Sequence, residues 1–398
     1  MSEIKIVNGI TYDIDEYGVR LVSCFDPEKV VDIPSTINGK SVTDINSNAF
    51  ERCSKVESIN IPDTVKHIGE YAFYGCTSLT SIKLSKNLRA IDDCVFMGCT
   101  SLKNIIIPDS VTRIGSYAFT KCECIEFLNI PNSVCNIGEY AFIGCKGLKS
   151  ITLPEPIKKI NDGVFYGCIN LYYVYLHNNI TYIGNYVFYN CKSMDSIIIP
   201  DSVYHIGEYA FSGCSNLKSI KLSNNLKVIK KYTFNDCVEL QTIEVPKSVI
   251  EISDYAFYHC KKLTSVKLNI GLLYIGFYAF ANCDCLKTIG IPYTVEKIKP
   301  FAFYKCINLV SIILPKYLKL ISDSTFRYCN HLKEITIPNG VKKIGCYAFG
   351  DCAELLDINI PKSVKGIGAY AFDKCKTKLI IEDPSITSIS HIAFGGSE

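Results

Sequence analysis

Ile107-Pro108-Asp109-Ser110-Val111-Thr112-Arg113-Ile114-Gly115-Ser116-Tyr117-Ala118-Phe119-Thr120-Lys121-Cys122 is one winding of a pattern that runs through most of this 398-residue chain. Phenylalanine stands at 50, 73 and 96 and at every twenty-third position onward to 372, and cysteine follows three residues later each time, from Cys53 to Cys375. Fifteen recurrences of two uncommon residue types establish an internal repeat, and a repeat changes every later inference. An Ile lies five residues before each Phe, from Ile45 to Ile367, and a Val, Leu or Ile lies three before that. An apolar triplet such as Leu79, Ile82 and Leu84 follows the cysteine, so the unit is L-x-x-I-x-I-P-x-x-V-x-x-I-G-x-x-A-F-x-x-C-x-x.

The stretch Ser78-Leu79-Thr80-Ser81-Ile82-Lys83-Leu84 alternates at period two near its end, which predicts a strand with one face buried. Pro62, Pro108 and Pro200 follow such stretches and stop them, because proline has no N–H to donate to a ladder. V-x-x-I-G predicts a second short strand, with Gly69 or Gly115 supplying the turn after it. The remaining Glu70-Tyr71-Ala72-Phe73-Tyr74-Gly75-Cys76, rich in Ala and aromatics with Gly before Cys, predicts one helical turn. A single unit buries almost nothing, whereas stacked units share a core and a parallel ladder rising roughly 4.8 Å per coil. One Phe and four or five aliphatics buried per coil, at roughly 1.5 to 3 kcal/mol each, offset the chain entropy.

The expected fold class is therefore α/β: a right-handed solenoid of about fifteen coils, with a parallel strand ladder on its concave face and a short second strand and helical turn per coil. Such an array never needs a larger core, so the length does not imply two or three globular domains. In the middle of the chain, units ending Ile199-Pro200-Asp201-Ser202-Val203 alternate with units ending Leu222-Ser223-Asn224-Asn225-Leu226, which points to duplication of a 46-residue pair. Residues 1 to 32 carry alternating strands around Asn8-Gly9 and Glu16-Tyr17-Gly18 and are expected to form a hairpin-like cap, with the solenoid spanning 33 to 398. At the other end the spacing slips by one, from Phe372 to Phe394, and Gly396 replaces the cysteine, so a last coil open to self-association or to a covering segment is expected.

Laid out as Ile-Pro-Asp-Ser-Val…Ile-Gly…Ala-Phe…Cys (107 to 122), the unit resembles that of the BspA-like leucine-rich repeat family, and the resemblance covers roughly residues 33 to 394. Asn8-Gly9-Ile10-Thr11-Tyr12 and Ile33-Pro34-Ser35-Thr36-Ile37-Asn38-Gly39-Lys40-Ser41-Val42 are similar to that family's opening. The resemblance implies a binding protein of the surfaces of bacteria or parasitic protists, acting as an adhesin for host or matrix proteins. The N-terminus departs from many members: Met1-Ser2-Glu3-Ile4-Lys5-Ile6 does not read as a secretory signal, and no run of 18 apolar residues occurs, so neither a surface nor a cytoplasmic location is assigned.

Charge and motifs exclude several classes. The 42 Lys+Arg against 39 Asp+Glu leave a formal +3 without any block of five like charges, so no nucleic-acid or anionic-membrane partner is expected. No P-loop, G-x-S-x-G, H-E-x-x-H or G-x-G-x-x-G occurs, and no enzyme, cofactor or metal is expected. The fifteen repeat cysteines read as inward-facing thiols that pack as small hydrophobes. Cys24, Cys94, Cys124, Cys135, Cys285 and Cys346 lie outside that register; Cys122-Glu123-Cys124 and Cys283-Asp284-Cys285 lack the paired spacing of a zinc site. The histidines, at 67, 177, 205, 259, 331 and 391, scatter over several registers and read as surface polar residues.

What varies is the pair of residues flanking the middle aliphatic of each ladder strand. Most are small and polar, such as Ser58 and Asn60, but Phe127, Tyr173, Tyr175 and Ile198 come from nearby coils and are the expected protein-binding patch. A protein-recognising module is the leading expectation. A spacer without a specific ligand is the alternative, and an enzyme comes last because repeat strands offer no converging acid, base and nucleophile.

Overall fold

The computed structural model describes residues 3–25, 27–381, 388–390 and 392–394; His391 and Gly396 fall outside them. Two compact units, Met1–Met194 and Asp195–Glu398, are each built of parallel-stacked coils of a β-solenoid, about 16 coils in all.

The first unit opens with β1 (Glu3–Val7), β2 (Ile10–Ile14) and β3 (Val19–Cys24), paired antiparallel in sequence order. In β2, Ile10, Tyr12 and Ile14 are buried while Thr11 and Asp13 are half-exposed, the alternation of a one-sided strand. β4 (Val30–Asp32) starts the ladder, pairing parallel with Ser58–Asn60. β5 (Thr36–Ile37) turns back antiparallel onto β6 (Lys40–Ile45), which pairs parallel with both β3 and His67–Ile68.

From there each coil repeats one plan. Ser58–Asn60 pairs with Ser81–Lys83 at equal repeat positions, Ile59 facing Ile82, so the ladder has a 23-residue register. Its middle residue is buried and its flanks look outward. The proline after the strand closes a turn: the Val111 N–H donates to the Pro108 carbonyl at 3.0 Å, and the Val134 N–H does so to Pro131. A two-residue second strand follows, with Ala90–Ile91, Arg113–Ile114 and Asn136–Ile137 stacked in parallel. The second unit repeats both ladders, one through Ser196–Ile198, Ser219–Lys221, Thr242–Glu244 and Ser265–Lys267, the other through Val228–Ile229, Glu251–Ile252, Tyr274–Ile275 and Lys297–Ile298.

The expected helical turn is not there; the described residues contain no helix. Residues 70 to 76 instead form tandem turns with Tyr71 at φ +59° and Gly75 at +69°. The N–H groups of Tyr71, Phe73 and Gly75 point sideways to the carbonyls of Asp93, Val95 and Met97 in the next coil, at 3.2, 3.0 and 2.8 Å. Those of Ala72, Tyr74 and Cys76 reach back three residues. A helix would spend every donor along its own axis, and left-handed residues four apart cannot continue one. The segment is thus a third intercoil ladder.

The glycine of I-G opens the expected turn, the Ala72 N–H donating to the Gly69 carbonyl at 3.2 Å, but what requires glycine there is close approach. Gly69 and Gly115 have no positive φ, and a Cβ at Gly69 would lie 2.7 Å from Ser47 Oγ, while one at Gly115 would meet the Asp93 carboxylate and lie 2.6 Å from the Asp92 backbone.

Inside, the phenylalanines stack with centroids 5.3 to 5.8 Å apart from Phe50 to Phe188 in the first unit, and 5.2 to 5.7 Å from Phe211 to Phe372 in the second. The cysteines do more than fill space. Cys99 Sγ donates to the Phe73 carbonyl of the preceding coil at 3.1 Å, while that carbonyl also accepts the Cys76 N–H at 3.2 Å. The same thiol bond recurs from Cys76 to Cys375, at 3.0 to 3.4 Å wherever it is drawn within one unit. Burial pushes the Cys76, Cys145 and Cys306 thiols up to about 12, so they stay protonated donors at neutral pH.

Candidate protein-binding surface

In the first unit the ladder face presents Ser58 and Asn60, Ser81 and Lys83, Asn104 and Ile106, Phe127 and Asn129, Ser150 and Thr152, then Tyr173 and Tyr175. Phe127, Tyr173 and Tyr175 are all exposed, Phe127 to 61 %. Phe127 bridges to Ser150 and Ser150 faces Tyr173, so the two rings share one column with a small hydroxyl between them; Tyr175 stands over Thr152 in the next column. Lys149 Nζ lies 5.8 Å from the Phe127 ring centre and 2.7 Å from Glu126 Oε2, placing a paired cation at the rim. Ile106, exposed to 83 %, belongs to the same face, and Tyr172 lies beside Tyr173. Ile106 flanks a groove of about 410 Å³ floored by Ile59, Ile82 and Leu84, and Phe127 flanks another of about 580 Å³ with Lys103, Asn104 and Glu126. Ile106 occupies the same repeat position as Ile198, and its apolar side chain at that position is the signal for it in the sequence.

Ile198 belongs to the second unit, where it is exposed and faces Lys221 across the ladder. That unit's own ladder face carries Ile313 as a second exposed apolar residue and a groove of about 700 Å³ lined by Lys221, Thr242, Glu244 and Lys267. Lys267 Nζ sits 2.6 Å from Glu244 Oε1 and holds that carboxyl below the usual carboxylate range.

The turn segments add aromatic columns that sequence reasoning, reading them as helical, did not find. In the second unit Tyr209, Tyr232, Tyr255, Tyr278 and Phe301 stack at 4.4 to 4.9 Å, every one at positive φ. In the first, Tyr117 and Tyr140 stack at 5.3 Å, and the Tyr140 ring occupies the space a Cβ at Gly163 would need. Aromatic contacts between coils offset the left-handed backbone at these positions.

The histidines do not converge. His177 is corrected from surface to core: only 2 % exposed, it takes the slot that Ser85 and Ser223 hold elsewhere. Its Nδ1 accepts the Asn179 N–H at 3.2 Å, which leaves Nε2–H to donate to the Pro154 carbonyl at 3.0 Å. His67 pairs with Asp92 at 3.0 Å, His331 with Glu354 at 2.8 Å, and His259 with Asp236. Among the described residues no group of three His, Cys, Asp or Glu side chains could hold a metal ion, and no helix is long and apolar enough to cross a membrane. Of the off-register cysteines, Cys94 is buried in a slot where most coils place Tyr, Cys135 is exposed, and Cys24, Cys124, Cys285 and Cys346 are half-buried.

Comparison with known proteins agrees with this architecture. The chain belongs to the BspA type leucine rich repeat family, whose profile matches residues 25–149, 135–264, 181–297 and 250–379. It is similar to a leucine-rich repeat protein from Bacteroides ovatus, 30 % identical over 94 % of this chain and 99 % of that one, with a TM-score of 0.72. A leucine rich cell surface protein from Faecalibacterium prausnitzii is 26 % identical over 96 % of each chain, TM-score 0.52. A leucine-rich repeat protein from Eubacterium ventriosum, 21 % identical over 88 % of this chain and 95 % of that one at TM-score 0.51, shares the fold. Among curated proteins none matches. Leucine-rich repeat proteins are generally protein-interaction or structural modules and mainly non-enzymatic; no catalytic family is indicated.

Proposed function

We propose that this chain is an adhesin-like module that recognises a protein partner, a host or matrix protein by family resemblance, through its ladder face. Phe127, Tyr173 and Tyr175 are the anchors in the first unit and Ile198 a separate contact in the second. The observation that carries the reading is the Phe127–Ser150–Tyr173 column: exposed rings two coils apart on a face whose side chains are mostly small and polar. Exposed aromatics amid small polar groups are where binding energy concentrates. The same reading treats residues 1–32 as a cap and 33–398 as the repeat body; antiparallel pairing of β1, β2 and β3 supports it, while β4, at the end of that cap, already pairs into the ladder.

Replacing Tyr173 and Tyr175 together with Ser is expected to weaken capture of a surface-exposed bait at least tenfold while circular dichroism and melting stay unchanged. Undiminished capture would retire the patch. Surface labelling of intact cells tests the location that adhesion requires. A second reading, a self-associating spacer, is favoured by Phe394, which stacks on Phe372 at 6.1 Å yet is exposed; concentration-dependent sedimentation abolished by Phe394→Ser would support it.

A further inference from the structure

The column of thiol bonds begins irregularly. Within the first unit each later cysteine of the column donates to the carbonyl of a Phe one coil earlier, but Cys53 has no such Phe behind it, because position 27 is Pro27. Its Sγ turns instead to β3, lying 3.6 Å from the Cys24 carbonyl oxygen. Cys24 is half-exposed, whereas Cys53 is buried beside it. This places a half-exposed cysteine and a buried one side by side across the junction between the N-terminal antiparallel strands and the first coil.

We propose that Cys24 and Cys53 form an oxidisable dithiol that closes to a disulfide and ties β3 to the first coil. The oxidant is a small disulfide such as oxidised glutathione. Cys24 attacks one of its sulfurs, forming a mixed disulfide and releasing one glutathione thiol. Cys53 then attacks Cys24 Sγ, which forms the Cys24–Cys53 bond and releases the second glutathione thiol. Two protons pass from the cysteines to the two thiols, and two electrons reduce the small disulfide. The neighbouring Cys24 side chain holds Cys53 below its usual range against the effect of burial, whereas burial pushes Cys76, one coil on, up to about 12. The interior column, buried and committed to Phe carbonyls, is thereby protected from the same chemistry.

The test uses the full chain, reduced and then exposed to oxidised glutathione, quenched with an alkylating agent and digested without reduction for mass spectrometry. The expected result is a Cys24–Cys53 cross-linked peptide as the dominant product, with the buried cysteines of the repeat column from Cys76 to Cys352 alkylated only after denaturation and the exposed Cys135 alkylated at once. Cys53→Ser is expected to trap glutathione on Cys24, and Cys24→Ser to leave Cys53 unmodified. Closing this loop is expected to slow hydrogen exchange of Tyr12 and Leu21 on the order of 100-fold in the oxidised wild type and not in Cys24→Ser. Recovery of Cys24 and Cys53 as separate alkylated thiols, or a Cys352–Cys375 cross-link formed in preference, would overturn the proposal.

Discussion

Phe119 and Phe127 are eight residues apart in one unit, the same side chain in the same kind of coil, and they live under opposite constraints. Phe119 is fully buried between Phe96 and Phe142, at 5.3 and 5.4 Å, while Phe127 is mostly exposed with Ser150 as its neighbour along the ladder. A ring inside the stack must match the ring one coil before and one after, so its identity is dictated by translation along the array. A ring on the ladder face has no such obligation. Repetition therefore marks structure in this chain, and departure from repetition marks the places free to recognise something else.

The largest test of that contrast is Phe119→Ala, which removes a ring from the middle of the column. A loss of about 3–5 kcal/mol in the unfolding free energy of the first unit is expected from chemical denaturation. Loss below 1 kcal/mol would mean that neighbouring coils relax into the gap and that the column is not the continuous core described above.

Gly115→Ala comes next, because the added methyl meets the Asp93 carboxylate and the Asp92 backbone of the preceding coil. A cost of about 1–3 kcal/mol is expected. The control is Gly290→Ala on the ladder face of the second unit, where nothing lies within 4 Å of the new Cβ and the change should stay within about 0.5 kcal/mol. Equal effects at the two glycines would show that local chain stiffness, not intercoil contact, selects glycine here.

Cys122→Ala probes the thiol bond to the Phe96 carbonyl, 3.2 Å long. A cost of about 1–2 kcal/mol is expected, combining a small cavity with a lost donor. Cys122→Ser restores a donor in nearly the same volume, so measuring both separates packing from hydrogen bonding. If Ser is no better than Ala, the bond adds nothing beyond volume.

Much of this was readable from residue spacing. The Phe and Cys columns and both strands of the coil followed from period alone, because stacking forces equal residues into equal places, while the family followed from the resemblance of the repeat motif. The turn segment was misread for a physical reason: Ala72 and Phe73 have ordinary helical propensity, while the left-handed Tyr71 is imposed by the hydrogen bonds of the next coil, which local composition does not encode. At Gly69 the turn was legible but the close approach was not, since a glycine needed for close approach looks the same in a sequence as one needed for a turn. His177 hid in a serine slot that repeats in only some coils. The ladder-face residues were legible as exposed positions, but which partner they meet is a property of another molecule.

The smallest expected effect on stability is the most informative about function. Phe127→Ser removes an exposed ring whose contacts are Lys149 across its face and the edge of a groove, so unfolding should change by no more than about 0.5 kcal/mol. Binding of a captured partner should nevertheless fall, because anchors at the centre of a patch lose their buried area only in the complex. Phe119→Ala would have the reverse signature, a large stability loss with binding altered only through unfolding. Measured side by side, the two substitutions separate a core ring from a recognition ring of the same chemical kind. A Phe127→Ser protein that is destabilised as much as Phe119→Ala would place Phe127 in the framework and leave the ladder face without its proposed anchor.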